Sequence, residues 1–162
     1  MRDLPILTRS QMEPLYQAEL HLDEAIQEGP EWMVFRKSVH MDDPFIRGQK
    51  AVPPEFPHHY AGENFISMTG ESAFVMLRHK GLLPDGWRGH GTRIRDAVFR
   101  SSVLVGEDLF VRVELQRHRK LGGRLFATFK FYMWKLDING REVVCYESVQ
   151  DAAFFPVGQA TG

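Results

Sequence analysis

Between Leu109 and Gln116 the chain alternates with a period of two: Leu109, Val111, Val113 and Leu115 are apolar, while Arg112, Glu114 and Gln116 are polar. That alternation belongs to a strand with one face on a core and one face in water. The same period predicts strands over 92–103, 108–118, 123–138 and 142–155, joined by two segments with hairpin chemistry. Lys120-Leu-Gly-Gly-Arg124 and Asp137-Ile-Asn-Gly-Arg141 both carry residues that tolerate the left-handed backbone of tight turns.

Upstream the period changes. Over 61–80, Phe65, Ile66, Thr69, Ala73, Met76 and Leu77 recur at helical spacing and predict one long helix, ended by Gly81 and Pro84. The Gly-rich stretch 84–91 reads as a loop after it. Leu15, Ala18, Leu22, Ala25 and Ile26 predict a short N-terminal helix stopped at Gly29-Pro30. Trp32–Val39 reads as a strand, and four prolines within 41–57 forbid a central strand there and suggest a shaped loop.

These elements predict an α+β fold in a single domain, 1–162, with 1–30 as a helical extension. An antiparallel meander of long strands with only one long helix fits a sheet of five to six strands curled round that helix, the hotdog architecture. Such a sheet leaves an edge strand open, and pairing of two copies would close it, so a homodimer is expected. Composition narrows the function. Twenty Lys and Arg against 21 Asp and Glu give a net charge of -1, unlike the basic excess of a nucleic-acid binder. One cysteine, Cys145, allows neither an intramolecular disulfide nor a multi-cysteine zinc site. No apolar run reaches membrane-spanning length, and the first residues lack the apolar stretch of a signal peptide, so a cytoplasmic location away from membranes is expected.

The segment PHHYAGENFISMTGESAFVML, from Pro57, resembles the loop-to-helix region of hotdog acyl-thioester enzymes, and the meander from Ile94 to Phe154 is similar to their C-terminal sheet. In length and element order, over about 30–155, the chain most resembles FcoT-like long-chain acyl thioesterases. Within that group it looks like the dual-function enzymes that add glycine to an α,β-unsaturated acyl thioester and then hydrolyse it. Where the long-chain enzymes carry a helix Asn, this chain has Gly70 followed by Glu71. The resemblance implies a thioester of coenzyme A or an acyl carrier protein as substrate, glycine as second substrate and an N-carboxymethyl-3-amino acid as product. No cofactor or metal is implied. A hydroxyacyl-thioester dehydratase and a non-catalytic acyl-binding module are the alternatives; the dehydratase's helix acid would fall near Ser67.

Candidate chemistry gathers at the start of the long helix. His58 and His59 directly precede a helix N-terminus, where unpaired N–H groups from about Tyr60 to Glu63 can hold a thioester oxygen as it becomes an oxyanion. His59 is the candidate base; His58 is more simply read as packing in a Pro-rich loop. Gly62 permits close approach to the first turn, and Asn64 can donate a hydrogen bond. Glu71 is the second candidate catalytic residue, expected opposite the apolar stripe, with Thr69, Gly70 and Ser72 as supporting substrate contacts. Arg117-His-Arg-Lys120 with Arg124 forms a basic hairpin end, a solvated turn unless it meets carrier phosphates or an acidic carrier protein. Arg36, Lys37, Arg47, Lys50, Arg93 and Arg95 are all eligible to hold a glycine carboxylate.

Overall fold

The computed structural model describes residues 4–158 except 17, 56 and 61. In chain order the elements are β1 (Leu7–Thr8), α1 (Arg9–Met12), a 3-10 turn (Glu13–Leu15), β2 (Glu24–Gly29), β3 (Trp32–Ser38), α2 (Pro44–Arg47), β4 (His59–Tyr60), α3 (Gly62–His79), β5 (Trp87–Phe99), β6 (Val103–Leu104), β7 (Asp108–Leu121), β8 (Arg124–Leu136) and β9 (Glu142–Pro156). Seven strands pair antiparallel in the order β1-β2-β3-β7-β8-β9-β5, and β4 pairs separately with β6.

The expected N-terminal helix is not formed; its second half is the hairpin strand β2. Gly29-Pro30 ends a strand rather than a helix. Gly29 lies opposite Trp32, and a Cβ on Gly29 would fall 2.2 Å from the indole nitrogen, so only glycine lets that ring lie across the hairpin. Leu22 and Ala25 are buried, as the helical reading required, but Ala25 is buried opposite Phe35 of β3. Strands β1 and β2 are also why the sheet has seven strands and not five or six. The Gly-rich stretch is a second correction, because β5 begins at Trp87. Gly89 sits under the Phe154 ring, where a Cβ would come within 2.2 Å.

The meander follows its alternation. Leu109, Val111, Val113 and Leu115 of β7 and Leu125, Ala127, Phe129, Phe131 and Met133 of β8 are all buried. Gly122 and Gly123 carry φ of 59° and 72° in the β7–β8 turn. In the β8–β9 turn the Asp137 carboxylate accepts from the N–H groups of Asn139 and Arg141, and Gly140 takes φ 76°.

Helix α3 is covered on more than one side. The sheet takes Phe65, Met68, Ala73, Met76 and Leu77 into the core. The segment after the 3-10 turn covers another flank: Tyr16 meets Phe74 edge-on, and the N–H groups of His21 and Leu22 reach the Glu71 carboxylate. Two expectations fail here. Ile66 is 39% exposed rather than core, and Glu71 is 1% exposed rather than facing outward. Replacing the fully buried Leu77 by alanine is therefore expected to cost about 2–5 kcal/mol. Ile66→Ala should cost about 1 kcal/mol or less. Urea unfolding of both variants checks the difference; equal losses would return Ile66 to the core.

Candidate functional site

Strand β4 and the first turn of α3 meet in a cavity of about 340 Å³ lined by His59, Tyr60, Gly62, Phe65, Phe99, Arg100, Ser101 and Ser102. His59 is held there from both sides. Gln49 grips its backbone, donating from Nε2 to the His59 carbonyl at 2.6 Å and accepting from the His59 N–H at 3.1 Å. Its ring Nδ1 lies 2.9 Å from the Pro57 carbonyl. A carbonyl only accepts, so Nδ1 carries a proton, and Nε2 is the ring nitrogen left to exchange one. His58 is engaged elsewhere, its Nε2 bonded to the Gln49 carbonyl at 3.2 Å. Next in the chain, Tyr60 is buried, and among the described residues its hydroxyl has no hydrogen-bond partner. Burial first, and then the nearby carboxylates of Asp43, Glu71 and Asp23, raise its pKa, so it remains a phenol.

Glu71 is not in this cavity. Its carboxylate accepts from Leu22 N–H at 2.7 Å and His21 N–H at 3.0 Å, with His21 Nδ1 at 3.1 Å. The His21 ring stacks on Phe45 at 3.8 Å between centroids and meets Tyr60 edge-on. The two candidate catalytic residues thus lie on different sides of α3, with Tyr60 and His21 between them. Ser72 is also buried, and its hydroxyl donates to the Thr69 carbonyl. Asn64 is 6% exposed.

Thr69 and Gly70 belong to a second cavity, of about 300 Å³, between α3 and strands β5, β8 and β9. Five aromatic residues line it, Tyr16, Phe74, Phe129, Phe131 and Phe154, with Ile66 at α3. Gln150 supplies a buried amide among them. Gly62 and Phe65 of the first cavity and Ile66, Thr69 and Gly70 of the second follow one another along α3.

The basic hairpin end forms a third hollow, with Arg117, Arg119, Phe126, Thr128 and Asp151 in its wall. Arg117 donates to Thr128 Oγ1, which donates to Asp151, and Arg95 reaches the same carboxylate. The Thr128 hydrogen bond, and then Arg95 and Arg117, hold the Asp151 pKa below the usual carboxylate range. Several cations offered for a carboxylate are occupied: Arg36 pairs with Glu24 and Arg95 with Asp151. Arg100, which pattern reading passed over, lines the His59 cavity and pairs with Glu147 at 3.0 Å. Gln49 and His21 were equally invisible in sequence, because their roles depend on contacts across 10 and 50 residues. Cys145 is no nucleophile: burial pushes its thiol up to about 11. Among the described residues no group of three or more His, Cys, Asp or Glu is placed to hold a metal, and no helix is long and apolar enough to cross a membrane.

No family model matches the chain, and no curated protein matches it in sequence. Solved structures match its fold. A dehydratase heterocomplex, ApeI:P from Xenorhabdus doucetiae, superposes with TM-score 0.64 at 16% identity, over 93% of this chain and 91% of the other. A hot-dog-like protein from Thermanaerovibrio acidaminovorans gives TM-score 0.52 at 18% identity, over 79% and 84%. The chain has the hotdog fold. The fluoroacetyl-CoA thioesterase FlK shares this hotdog fold, with TM-score 0.54 at 16% identity, over 80% of this chain and 88% of its own. Within the hotdog domain, α3 packs on the sheet, and β1 and β5 are the sheet's two edges.

Proposed function

We propose that this hotdog protein is an acyl-thioester hydrolase whose base is His59. The observation that carries the reading is the imidazole tied through Nδ1 to Pro57, its Nε2 without a hydrogen bond among the described residues, in a cavity at the first turn of α3. The first N–H groups of a helix have no intrahelical acceptor and can receive the thioester oxygen. His59 takes a proton from water as the oxygen bonds to the carbonyl carbon. The C–S bond then breaks, and the imidazolium protonates the leaving thiolate, giving acid and thiol. The shared fold with a fluoroacetyl-CoA thioesterase supports an acyl-CoA or acyl-carrier substrate. Tyr60, Gly62 and Asn64 would border the reacting thioester, while Thr69, Gly70 and Ser72 would shape or support the acyl seat. Arg117 and Arg119 would meet carrier phosphates.

The same centre suits addition of glycine to an enoyl thioester. His59 takes a proton from the glycine ammonium, the amine bonds to C3 as the C2–C3 π pair shifts to an enolate on the thioester oxygen, and the imidazolium returns that proton to C2. Arg100 lines that cavity and would take the glycine carboxylate by sharing its guanidinium with Glu147. Glu71 is proposed as a positioning residue, fixing His21 behind Tyr60. The 13-residue free edge β5, exposed at Ile94, Val98 and Phe99, supports pairing of two copies. A dehydratase is the second reading, favoured by the fold shared over nearly the whole chain with ApeI:P. Against it, the His59 cavity holds no carboxylate among the described residues, and Ser67 donates to the Glu63 carbonyl where a helix acid is expected.

Incubation with crotonyl-CoA, octenoyl-CoA and 3-hydroxyoctanoyl-CoA, with and without glycine, separates these outcomes by thiol release and product mass. Thiol release is expected, with a glycine adduct from the enoyl substrates. Dehydration alone would move the reading to the dehydratase; binding without turnover would make the chain a carrier module.

A further inference from the structure

The aromatic cavity beside α3 contains two features that a plain apolar acyl seat does not require. Gly70 stands inside a helix, where glycine is disfavoured relative to alanine, yet a Cβ there would meet nothing within 4 Å. Gly70 is exposed at the mouth of the cavity, and without a side chain it leaves the way into the cavity open at that turn of the helix. Gln150 is the second feature. It is 8% exposed and lines the cavity beside the rings of Phe129 and Phe154. Its amide nitrogen is engaged twice, donating to Tyr146 Oη at 3.3 Å and Ser148 Oγ at 3.1 Å, which fixes the plane of the amide. Its oxygen has only Thr69 Oγ1, at 3.0 Å. That hydroxyl has one hydrogen and lies nearer the Ile66 carbonyl, at 2.6 Å. An amide oxygen has two acceptor sites, so among the described residues at least one is left without a donor, on a side chain that lines the cavity.

We propose that Gln150 is a specificity determinant: its side-chain oxygen accepts a hydrogen bond from a hydroxyl group at the far end of the acyl chain, which lies over Gly70. The proposal rests on the thioester being held at His59. From Gly62 to Thr69 the helix advances roughly 10 Å at about 1.5 Å per residue. A six-carbon acyl chain with a terminal hydroxyl spans that length once the hydrogen bond itself is added. A hydroxyl near the thioester would not reach.

The test compares kcat/KM for 6-hydroxyhexanoyl-CoA and hexanoyl-CoA in the wild type, Gln150→Leu, Gln150→Glu and Gly70→Leu. The wild type is expected to favour the hydroxylated substrate by about tenfold or more, because a site built around a buried acceptor discriminates against the analogue lacking the donor. Gln150→Leu should bring the ratio to about one or below, and Gln150→Glu, which keeps an acceptor, should retain the preference. Gly70→Leu should raise KM for both substrates, since its side chain fills the seat. Equal wild-type rates, or a preference that survives Gln150→Leu, would overturn the proposal. If no thioester is cleaved, the hydrolase reading fails separately. Calorimetry with 6-hydroxyhexanoate and hexanoate then decides the seat, with equal or absent binding counting against it.

Discussion

His59→Ala is expected to lower thioester cleavage by about 10²–10⁴-fold, the usual contribution of a positioned general base. The melting temperature should change little, because His59 is only partly buried and its backbone, not its ring, is gripped by Gln49. If hydrolysis and glycine addition use one base, both fall together. The two steps can be followed separately, adduct by mass and cleavage by free thiol. Addition at the wild-type rate with hydrolysis lost would break the shared-base mechanism. Wild-type rates for both would remove His59 from the chemistry altogether.

Glu71→Ala is expected to destabilise the fold by about 2–6 kcal/mol, since it leaves two buried backbone N–H groups without an acceptor at about 1–3 kcal/mol each. The substitution strands two backbone N–H groups and the His21 ring at a site that is 1% exposed. Glu71→Gln keeps one acceptor oxygen but turns an amide NH₂ toward donors, so a smaller loss of about 1–3 kcal/mol follows. Denaturant melts give the stabilities, and activity normalised to folded protein gives the second readout. A positioning role predicts modest change in that activity. Loss of turnover by orders of magnitude in fully folded Glu71→Gln would bring the carboxylate into the reaction itself.

Much of the fold was legible because its signals are local. The alternation of β7, the Gly122-Gly123 and Asn139-Gly140 turns and the period of α3 each depend on a few neighbouring residues. The N-terminal segment departs from its helical spacing because Leu22 is buried before the strand and Ala25 within it, so a helix and a loop leading into a strand present the same two apolar positions. Pairing with β3 decides between them. The far side of α3 was misread for a related reason. A helical wheel gives the angle between Ile66 and Glu71 but not which side receives cover, and His21 and Leu22 cover Glu71. His59 could be singled out by its place before a helix. The clamp from Gln49 could not, since nothing in a Gly-Gln-Lys tripeptide points to a backbone 10 residues away.

The order of the strands in the sheet carries a consequence for synthesis. Strand β5 precedes β7, β8 and β9 in the chain, yet it pairs only with β9, the last of them. As the polypeptide leaves the ribosome, α3 and β5 emerge well before the strand that receives β5. The β7–β8–β9 meander closes through short turns and can form quickly, but β5 must wait for a loop of some fifty residues to shut, at the entropic cost of a distant contact. During that interval the apolar flank of α3 and an unpaired strand are both open to solvent. Chains truncated before residue 142 should therefore aggregate, and chaperone dependence should end only when β9 is complete.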